Sequence, residues 1–260
     1  MSHEFKSQHS YWDFQRATTS LSRYIHSDDI NAFLRAVLEA GQRRRDVVAE
    51  GGHLWRAQPG HGFEGEIYDG DDVVGYDIQP LAKEKMKPLR DFAFEGRANP
   101  KGIPYLYLAT HPETAMAEVA RWAGPKISLG QFKVRRALTL INFTLGERPK
   151  TIYAGGEPPI ELLEQYVWAD IDSAFSKPVA RNDASADYVP TQIIAELFKN
   201  NGYDGLAYQS SLGSCYPGHN VVLFDLDVAD LVACAPHEVT QIEFKFKQLG
   251  NGYSLKPNPA

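Results

Sequence analysis

The sequence has little of what marks several common classes of protein. Its 260 residues include only two cysteines, Cys215 and Cys234, whose spacing fits neither a CxxC pair nor a zinc site, which argues against a disulfide scaffold. No apolar run is long enough to cross a membrane. The first ten residues lack the apolar stretch of a secretory signal, so we expect a cytosolic protein with no membrane association.

Positive charge is also scarce. The chain has 27 Lys and Arg against 33 Asp and Glu, a net charge of −6. The one basic run, Arg43-Arg44-Arg45, closes a predicted helix, where we expect it to be solvated and attracted to the negative end of the helix dipole. The sequence therefore predicts no direct nucleic-acid partner.

Motifs for common cofactors are absent or stand in the wrong place. Residues 60–65 read G-x-G-x-x-G, but no buried strand precedes them and no helix begins within them, so a Rossmann nucleotide site is not expected. There is no P-loop and no HExxH, and no two histidines stand at ligand spacing on one helix, so we expect no metal.

The apolar spacing predicts an α+β protein. Residues 10–50 are expected to be helical, because Ile30, Phe33, Leu34, Val37 and Leu38 recur at helical spacing. Further helices are predicted at 110–122, 158–175 and 191–200, strands at 105–109, 127–143, 205–208 and 220–225, a loop or weak hairpin at 67–80, and a last strand on Ile242, Phe244 and Phe246.

One helix carries a charge on its apolar face. Thr110 and Glu113 form a T-x-x-E capping box, and the helix that follows places Glu118 between Ala115 and Trp122 on one face. Glu118 is either at the edge of the buried face, reaching water, or held in a cleft by cations and donors, because burying an unpartnered carboxylate is expensive.

The neighbouring segments could supply such partners. Arg97 precedes a turn, and Tyr107 lies on the strand that leads into the helix of Glu118, so a cation, an aromatic face and an acid are expected near one cleft. Downstream, a predicted strand ends in the loop of Ser210 and Ser211, and the chain returns at Asn220. Polar loops at strand ends often form sites, although neither serine stands in a G-x-S-x-G elbow.

These segments, taken in order, resemble the RES domain. The residues that carry the resemblance are Leu54-Trp-Arg56, Gly96-Arg97-Ala-Asn99-Pro-Lys-Gly102-Ile-Pro-Tyr-Leu-Tyr107-Leu-Ala109, Glu113-Thr-Ala115 with Ala117-Glu118, and Gly202-Tyr-Asp-Gly205-Leu-Ala-Tyr208-Gln-Ser-Ser211 with Asn220. The RES family is named for an arginine, a glutamate and a serine, and it supplies the toxin half of bacterial toxin–antitoxin pairs. The resemblance spans about residues 53–226.

The resemblance implies a fold and an activity. The fold would be similar to ADP-ribosyltransferases, with a mixed or antiparallel split sheet flanked by helices. The activity would be cleavage of the nicotinamide–ribose bond of NAD+, a substrate rather than a cofactor, and an antitoxin on a separate chain would neutralise it. The implied division is a helical extension at 1–50, a catalytic domain at 51–235, and a C-terminal strand and tail at 236–260.

The implied site residues fall into two groups. Those expected to be catalytic are Arg97, Tyr107, Glu118 and Ser211, and those expected to bind substrate are Arg56, Ser210 and Asn220. Either serine could be the one in the family's name.

Several alternatives stay open. The acceptor of the ADP-ribose could be phosphate, water or a protein side chain, and the last of these would make the protein a mono-ADP-ribosyltransferase. A third reading is a non-catalytic module that binds a partner through the helices of residues 10–50. The oligomeric state is also open.

Overall fold

A computed structural model describes residues 4–70, 72–120, 122–146, 148–149, 156–177, 185–211, 218–243, 247–248 and 250–251. The helices are α1 Ser10–Ser20, α2 Asp28–Gly41, α3 Pro112–Val119, α4 Ile160–Ser176 and α5 Val189–Asn200. The strands are β1 Arg45–Val48, β2 His53–Pro59, β3 Gly62–Asp69, β4 Asp72–Gln79, β5 Leu106–Ala109, β6 Lys126–Val134, β7 Leu138–Asn142, β8 Gly205–Tyr208, β9 Asn220–Leu223 and β10 Ala229–Glu238. The predicted α+β class is confirmed.

Eight strands form one mostly antiparallel sheet in the order β1-β7-β8-β9-β5-β2-β6-β10. Among the described strands, only β7 and β8 are paired in parallel. At the centre, β5 and β2 share a single register pair, Trp55 with Ala109, whereas the adjacent β2–β6 pairing runs over seven residues, 53 to 59. The sheet is therefore split between β5 and β2, and this split positions the cavity described below.

Four helices cover one face of the sheet. The apolar stripe of α2 packs with α1, α4 and α5 into a core that contains Trp168, Phe175 and Phe198. Ser27 caps α2 by accepting a hydrogen bond from the backbone N–H of Ile30, which favours a helix start there. The other face of the sheet has its own apolar cluster, to which Leu54 of β2 and Leu108 of β5 both contribute, so apolar packing joins the two halves of the split sheet.

The predicted helical stretch 10–50 is wrong at its end. Residues 45–48 form β1, which pairs with β7. Arg44, expected to be solvated, is only 8% exposed, and its guanidinium lies 4.6 Å from the ring centre of Trp168 while it donates to the carbonyls of Phe143 and Leu145. The chain enters the sheet here, and Arg44 satisfies carbonyls that follow β7.

The segment predicted as a loop or weak hairpin at 67–80 belongs to a hairpin that begins earlier, at Gly62. β3 and β4 form a separate two-stranded antiparallel sheet, and residues 60–65 lead into β3 rather than into a helix. A strand, β2, does precede the G-x-G-x-x-G stretch, contrary to the expectation, but no helix begins within it.

The C-terminal region differs from the prediction. The strand β10, which was not predicted, lies at the edge of the sheet and pairs with β6. It contains Pro236, which an edge strand tolerates because its outer N–H groups are not needed for pairing. Of the predicted last strand on Ile242, Phe244 and Phe246, residues 242–243 form no strand, and 244–246 lie outside the described residues.

Among the described residues, no helix combines the length and the apolar character that a membrane span requires.

Candidate active site

A cavity of about 360 Å³ opens at the split between β2 and β5. Its lining joins residues of β2, β5, α3, β8, β9 and the turn that precedes β5. The lining residues are Trp55, Arg56, Ala57, Gln58, Gly96, Arg97, Tyr107, Leu108, Ala109, Ala115, Glu118, Val119, Tyr188, Tyr208 and Asn220. Five of the seven residues predicted for the site are among them.

Glu118 reaches the cavity because α3 packs closely on the sheet. The contact is made by small residues, Ala115 of α3 against Ala57 and Ala109. Near the last turn of the helix, Glu118 Oε1 accepts hydrogen bonds from Ser210 Oγ at 2.6 Å and from Asn220 Nδ2 at 2.9 Å. No hydrogen bond among the described residues uses its Oε2. Glu118 is itself exposed, so the structure combines features of the two predicted settings: the carboxylate lies at the edge of the cavity, reaching water, and it has two donors as partners, while no ion pair among the described residues involves it.

The start of α3 differs from the predicted capping box. The helix begins at Pro112, and its N-cap residue, His111, makes no side-chain capping bond. Thr110 is used otherwise: its Oγ1 accepts from the backbone N–H of His219 at 3.0 Å, and its own N–H donates to the His219 carbonyl. These bonds tie the approach to α3 to the residue before Asn220, so both ends of the Glu118–Asn220 contact are fixed together.

The end of α3 also differs. The helix stops at Val119, and Trp122, predicted on the same face as Glu118, lies beyond it and is 62% exposed.

Arg97 lies in the turn before β5. Its Nη1 donates to the carbonyls of Phe175 at 2.6 Å and of Ser176 at 2.9 Å, which are among the last four carbonyls of α4 and have no partner within the helix. A guanidinium has five N–H groups, and among the described residues no hydrogen bond of Arg97 uses Nε or Nη2.

Tyr107 fixes the turn that carries Arg97. Its hydroxyl donates to Asn99 Oδ1 at 2.7 Å and accepts from the N–H of Ala98 at 3.0 Å. Gly96 is required there, since a Cβ at that position would come within 2.6 Å of the hydroxyl. Burial raises the pKa of Tyr107 to about 12. The ring therefore lines the cavity while the hydroxyl is committed to the turn.

Arg56 bridges the split in the sheet. Its Nη1 donates to the carbonyl of Tyr107 at 2.9 Å, where β2 and β5 no longer pair. When the amide of Gln58 is turned so that its oxygen faces the guanidinium, that oxygen accepts from Nε at 3.0 Å. Burial lowers the pKa of Arg56 to about 10, so it remains a cation at neutral pH.

The two candidate serines lie in different surroundings. Ser210 is 3% exposed and contacts Glu118. Ser211 is exposed in the turn that follows and is not part of the cavity lining. The structure thus brings Ser210 to the acid, and not Ser211.

Trp55, Gln58 and Tyr188 are among the cavity residues that the sequence reasoning did not place at the site. Trp55 and Gln58 are half-buried residues of β2, and the split that exposes them has no signature in the sequence. Tyr188 ends a 3-10 turn of residues 185–188 before α5, and nothing in its local sequence indicates that it lies at the cavity.

In the described part of the chain, no group of three or more His, Cys, Asp or Glu side chains is placed to hold a metal ion.

The model of the RES domain family matches residues 76–247, well over half of the chain. The chain belongs to the RES domain family. The match includes Arg97, Tyr107, Glu118, Ser210 and Asn220, but it begins after β2, so Arg56 lies outside the RES match.

Among solved structures, this RES-domain chain is similar to a chain of the crystal structure of the M. tuberculosis MbcT–MbcA toxin–antitoxin complex. The two are 14% identical with a TM-score of 0.42, over 78% of this chain and 92% of the other. No curated protein matches the sequence.

Proposed function

We propose that this RES-domain protein cleaves the nicotinamide–ribose bond of NAD+ and acts as the toxin of a toxin–antitoxin pair. The observation that carries the proposal is the setting of Glu118. One of its carboxylate oxygens is fixed by Ser210 and Asn220, at the wall of a cavity that also contains Arg56 and Arg97.

The chemistry needs a carboxylate in a fixed position. Breaking the bond between nicotinamide and ribose builds positive charge on the ribose, as glycoside hydrolysis does. A fixed carboxylate gains Coulomb energy as that charge develops, so it binds the transition state more strongly than the ground state. With Oε1 occupied by two donors, Glu118 has Oε2 left to meet the ribose or one of its hydroxyls.

The arginines suit the diphosphate. Planar guanidinium groups bind phosphate oxygens with paired donors, which a lysine does not offer. Arg97 keeps Nε and Nη2, and Arg56 keeps part of its Nη1 and Nη2 hydrogens. Two fixed cations would face the two charges of a diphosphate, and the rings of Trp55, Tyr107 and Tyr188 offer flat surfaces to nicotinamide or adenine.

The proposed reaction replaces the bond between nicotinamide and ribose by a bond between an acceptor oxygen and ribose. The C–N bond breaks, both its electrons go to the ring nitrogen, and neutral nicotinamide leaves. An oxygen of phosphate or water then forms the new bond to the ribose carbon, and the acceptor gives up a proton if it is water. Of the two serines, neither of which is part of the cavity lining, we assign the family's role to Ser210, because its hydroxyl contacts Glu118 whereas Ser211 is exposed.

The biological role and the finer fold description belong to the proposal as well. Membership in the RES family and the resemblance stated above support a toxin that is neutralised by an antitoxin on another chain. The split, mostly antiparallel sheet with a carboxylate at the split is compatible with an ADP-ribosyltransferase-like arrangement.

Free nicotinamide tests this function directly. Purified protein is incubated with NAD+, with and without phosphate, and nicotinamide, ADP-ribose, ADP-ribose phosphate and labelled protein are measured. We expect nicotinamide release, and the second product identifies the acceptor; label on protein would favour the mono-ADP-ribosyltransferase. Failure to release nicotinamide, together with no thermal stabilisation by NAD+, would contradict the proposal and favour a non-catalytic binding module.

A further inference from the structure

The last turn of α4 contacts the chain just before Ser210. Asp172 and Ser176 are four residues apart and so share one face of the helix. Asp172 Oδ1 accepts from the backbone N–H of Gln209 at 2.9 Å, and Ser176 Oγ donates to the Gln209 carbonyl at 2.6 Å. Both backbone groups of residue 209 are thus bound by side chains of one helical turn.

These bonds take over where strand pairing stops. β8 ends at Tyr208, whose register partner in β9 is Asn220, so residue 209 lies beyond the last register pair. A backbone group left without a partner here would be costly or mobile. Asp172 and Ser176 supply that partner, and the next residue, Ser210, contacts Glu118.

The same turn of α4 also binds Arg97, a positively charged side chain of the cavity lining. The carbonyls of Phe175 and Ser176 accept from Arg97 Nη1. One end of one helix therefore contacts both the turn of Arg97 and the segment that leads to Ser210. This end of α4 is held in the core of the protein, since Ile171 and Phe175 on its inner face are fully buried.

We infer that Asp172 and Ser176 are positioning residues for Glu118, acting through Gln209 and Ser210, and that the α4 C-terminus sets the distance between the acid and Arg97. This inference rests on the proposed function and deepens it. Neither residue lines the cavity, so neither is expected to touch NAD+.

A purely structural role would give a different result from a positioning role. Loss of a bond that only stabilises the fold would lower the melting temperature and change activity in proportion to the folded fraction. Loss of a bond that orients Glu118 would lower kcat in protein that is still folded, and the loss would disappear once Glu118 itself is replaced, because coupled residues are not additive.

The variants follow from this distinction. Asp172→Ala removes the acceptor, Asp172→Asn keeps an oxygen that can accept from Gln209, and Ser173→Ala changes a neighbour in the same turn that makes no bond to residue 209 in the described hydrogen bonds. We expect Asp172→Ala to lower kcat by about 10- to 100-fold, as small displacements of catalytic groups do. Asp172→Asn should restore most of kcat, and Ser173→Ala should match the wild type.

Two further measurements complete the test. In a Glu118→Gln background, Asp172→Ala should cause no additional loss of kcat, and amide hydrogen exchange at Gln209 should be faster in Asp172→Ala than in Ser173→Ala. Wild-type kcat in Asp172→Ala, or an equal loss in both backgrounds, would overturn the inference while the proposed function stands. If the wild-type protein releases no nicotinamide, the proposed function fails. Independently of that result, exchange at Gln209 that is no faster in Asp172→Ala than in Ser173→Ala would contradict the bond between Asp172 and Gln209 and so overturn the inference.

Discussion

Two segments of the chain carry most of its sequence motifs: the β3–β4 hairpin, residues 62–79, and the turn–strand–helix unit, residues 96–119. Both contain glycine, aromatic and acidic residues. In the hairpin, Phe63, Val74 and Tyr76 are more than half exposed, and the two strands pair only with each other. In the unit of residues 96–119, polar groups are bound by partners from α4, α5 and β9.

The difference shows what turns a motif into a site. The polar atoms around Arg97 and Glu118 have partners that lie 78 to 102 residues away in the chain, so the fold fixes where they are. In the hairpin, the rings of Phe63 and Tyr76 contact each other, and Asp77 accepts from Gln79, two residues away, so these contacts stay within the hairpin. Changes in the two segments should therefore have very different effects.

A large contrast in stability is expected between two glycines. Gly96→Ala should destabilise the fold by about 1 to 3 kcal/mol and displace Arg97, because its Cβ would meet the Tyr107 hydroxyl at 2.6 Å. Gly75→Ala in β4 meets only ordinary contact, with Ile67 at 3.9 Å, and should stay within about 0.5 kcal/mol of the wild type. Denaturant unfolding of both variants measures this, and equal stability would show that the turn is loosely packed.

The two serines should differ next. Ser210→Ala removes a hydrogen bond to a carboxylate, a contribution of about 1.5 to 3 kcal/mol, and should lower the rate of nicotinamide release about 10- to 100-fold. Ser211→Ala should leave the rate unchanged. If Ser211→Ala is the damaging change, the assignment of the family serine to position 210 is wrong.

A tyrosine of the cavity and a tyrosine of the hairpin give a smaller contrast. Tyr188→Leu should raise KM for NAD+ about 2- to 10-fold, because it removes an aromatic surface worth about 0.5 to 1.5 kcal/mol. Tyr76→Leu in the hairpin should not change KM. A rise in KM for Tyr76→Leu would instead show that the hairpin takes part in binding.

The smallest expected effect is a dependence of stability on pH that comes from His219, the residue bonded to Thr110. Burial lowers the pKa of His219 below its usual value, so as the pH falls through about 6.5 the unfolded chain takes up a proton that the folded chain does not. Stability should decrease below that pH, and His219→Gln should reduce the decrease. Melting temperatures of the wild type and His219→Gln at about pH 7.5 and about pH 5 measure this decrease. His53→Gln, on the exposed part of β2, is the control. A pH dependence of stability that is unchanged in His219→Gln would contradict the role of His219.

Much of the local structure could be predicted from the sequence. Helix α2, helix α5 and strand β8 follow from apolar periodicity, and the strand-to-helix unit around Tyr107 and Glu118 was recognised from its residue types. The resemblance to RES domains predicts that Arg97, Tyr107 and Glu118 lie near Arg56, Asn220 and one of two adjacent serines, but it names Ser211 as catalytic and does not distinguish that serine from Ser210, which is the one that contacts Glu118. These are properties of short segments or of an ordered set of segments.

The remainder depends on contacts between distant residues. The split between β5 and β2, which creates the cavity, arises from sheet order and leaves no local pattern. Thr110 has the sequence of a helix cap, but His219 offers it a better partner. Asp172 and Ser176 read as polar residues of an ordinary helix, and only the fold places them against Gln209.

The central claim is that Glu118 is the acid that promotes loss of nicotinamide from NAD+. Glu118→Gln keeps an oxygen that can accept from Ser210 and Asn220, so the fold and NAD+ binding should survive; Glu113→Gln, an exposed change on the same helix, is the matched control. Single-turnover release of nicotinamide should fall about 100- to 1000-fold in Glu118→Gln, a loss of about 3 to 4 kcal/mol, and stay unchanged in Glu113→Gln. Full activity of Glu118→Gln would contradict the account.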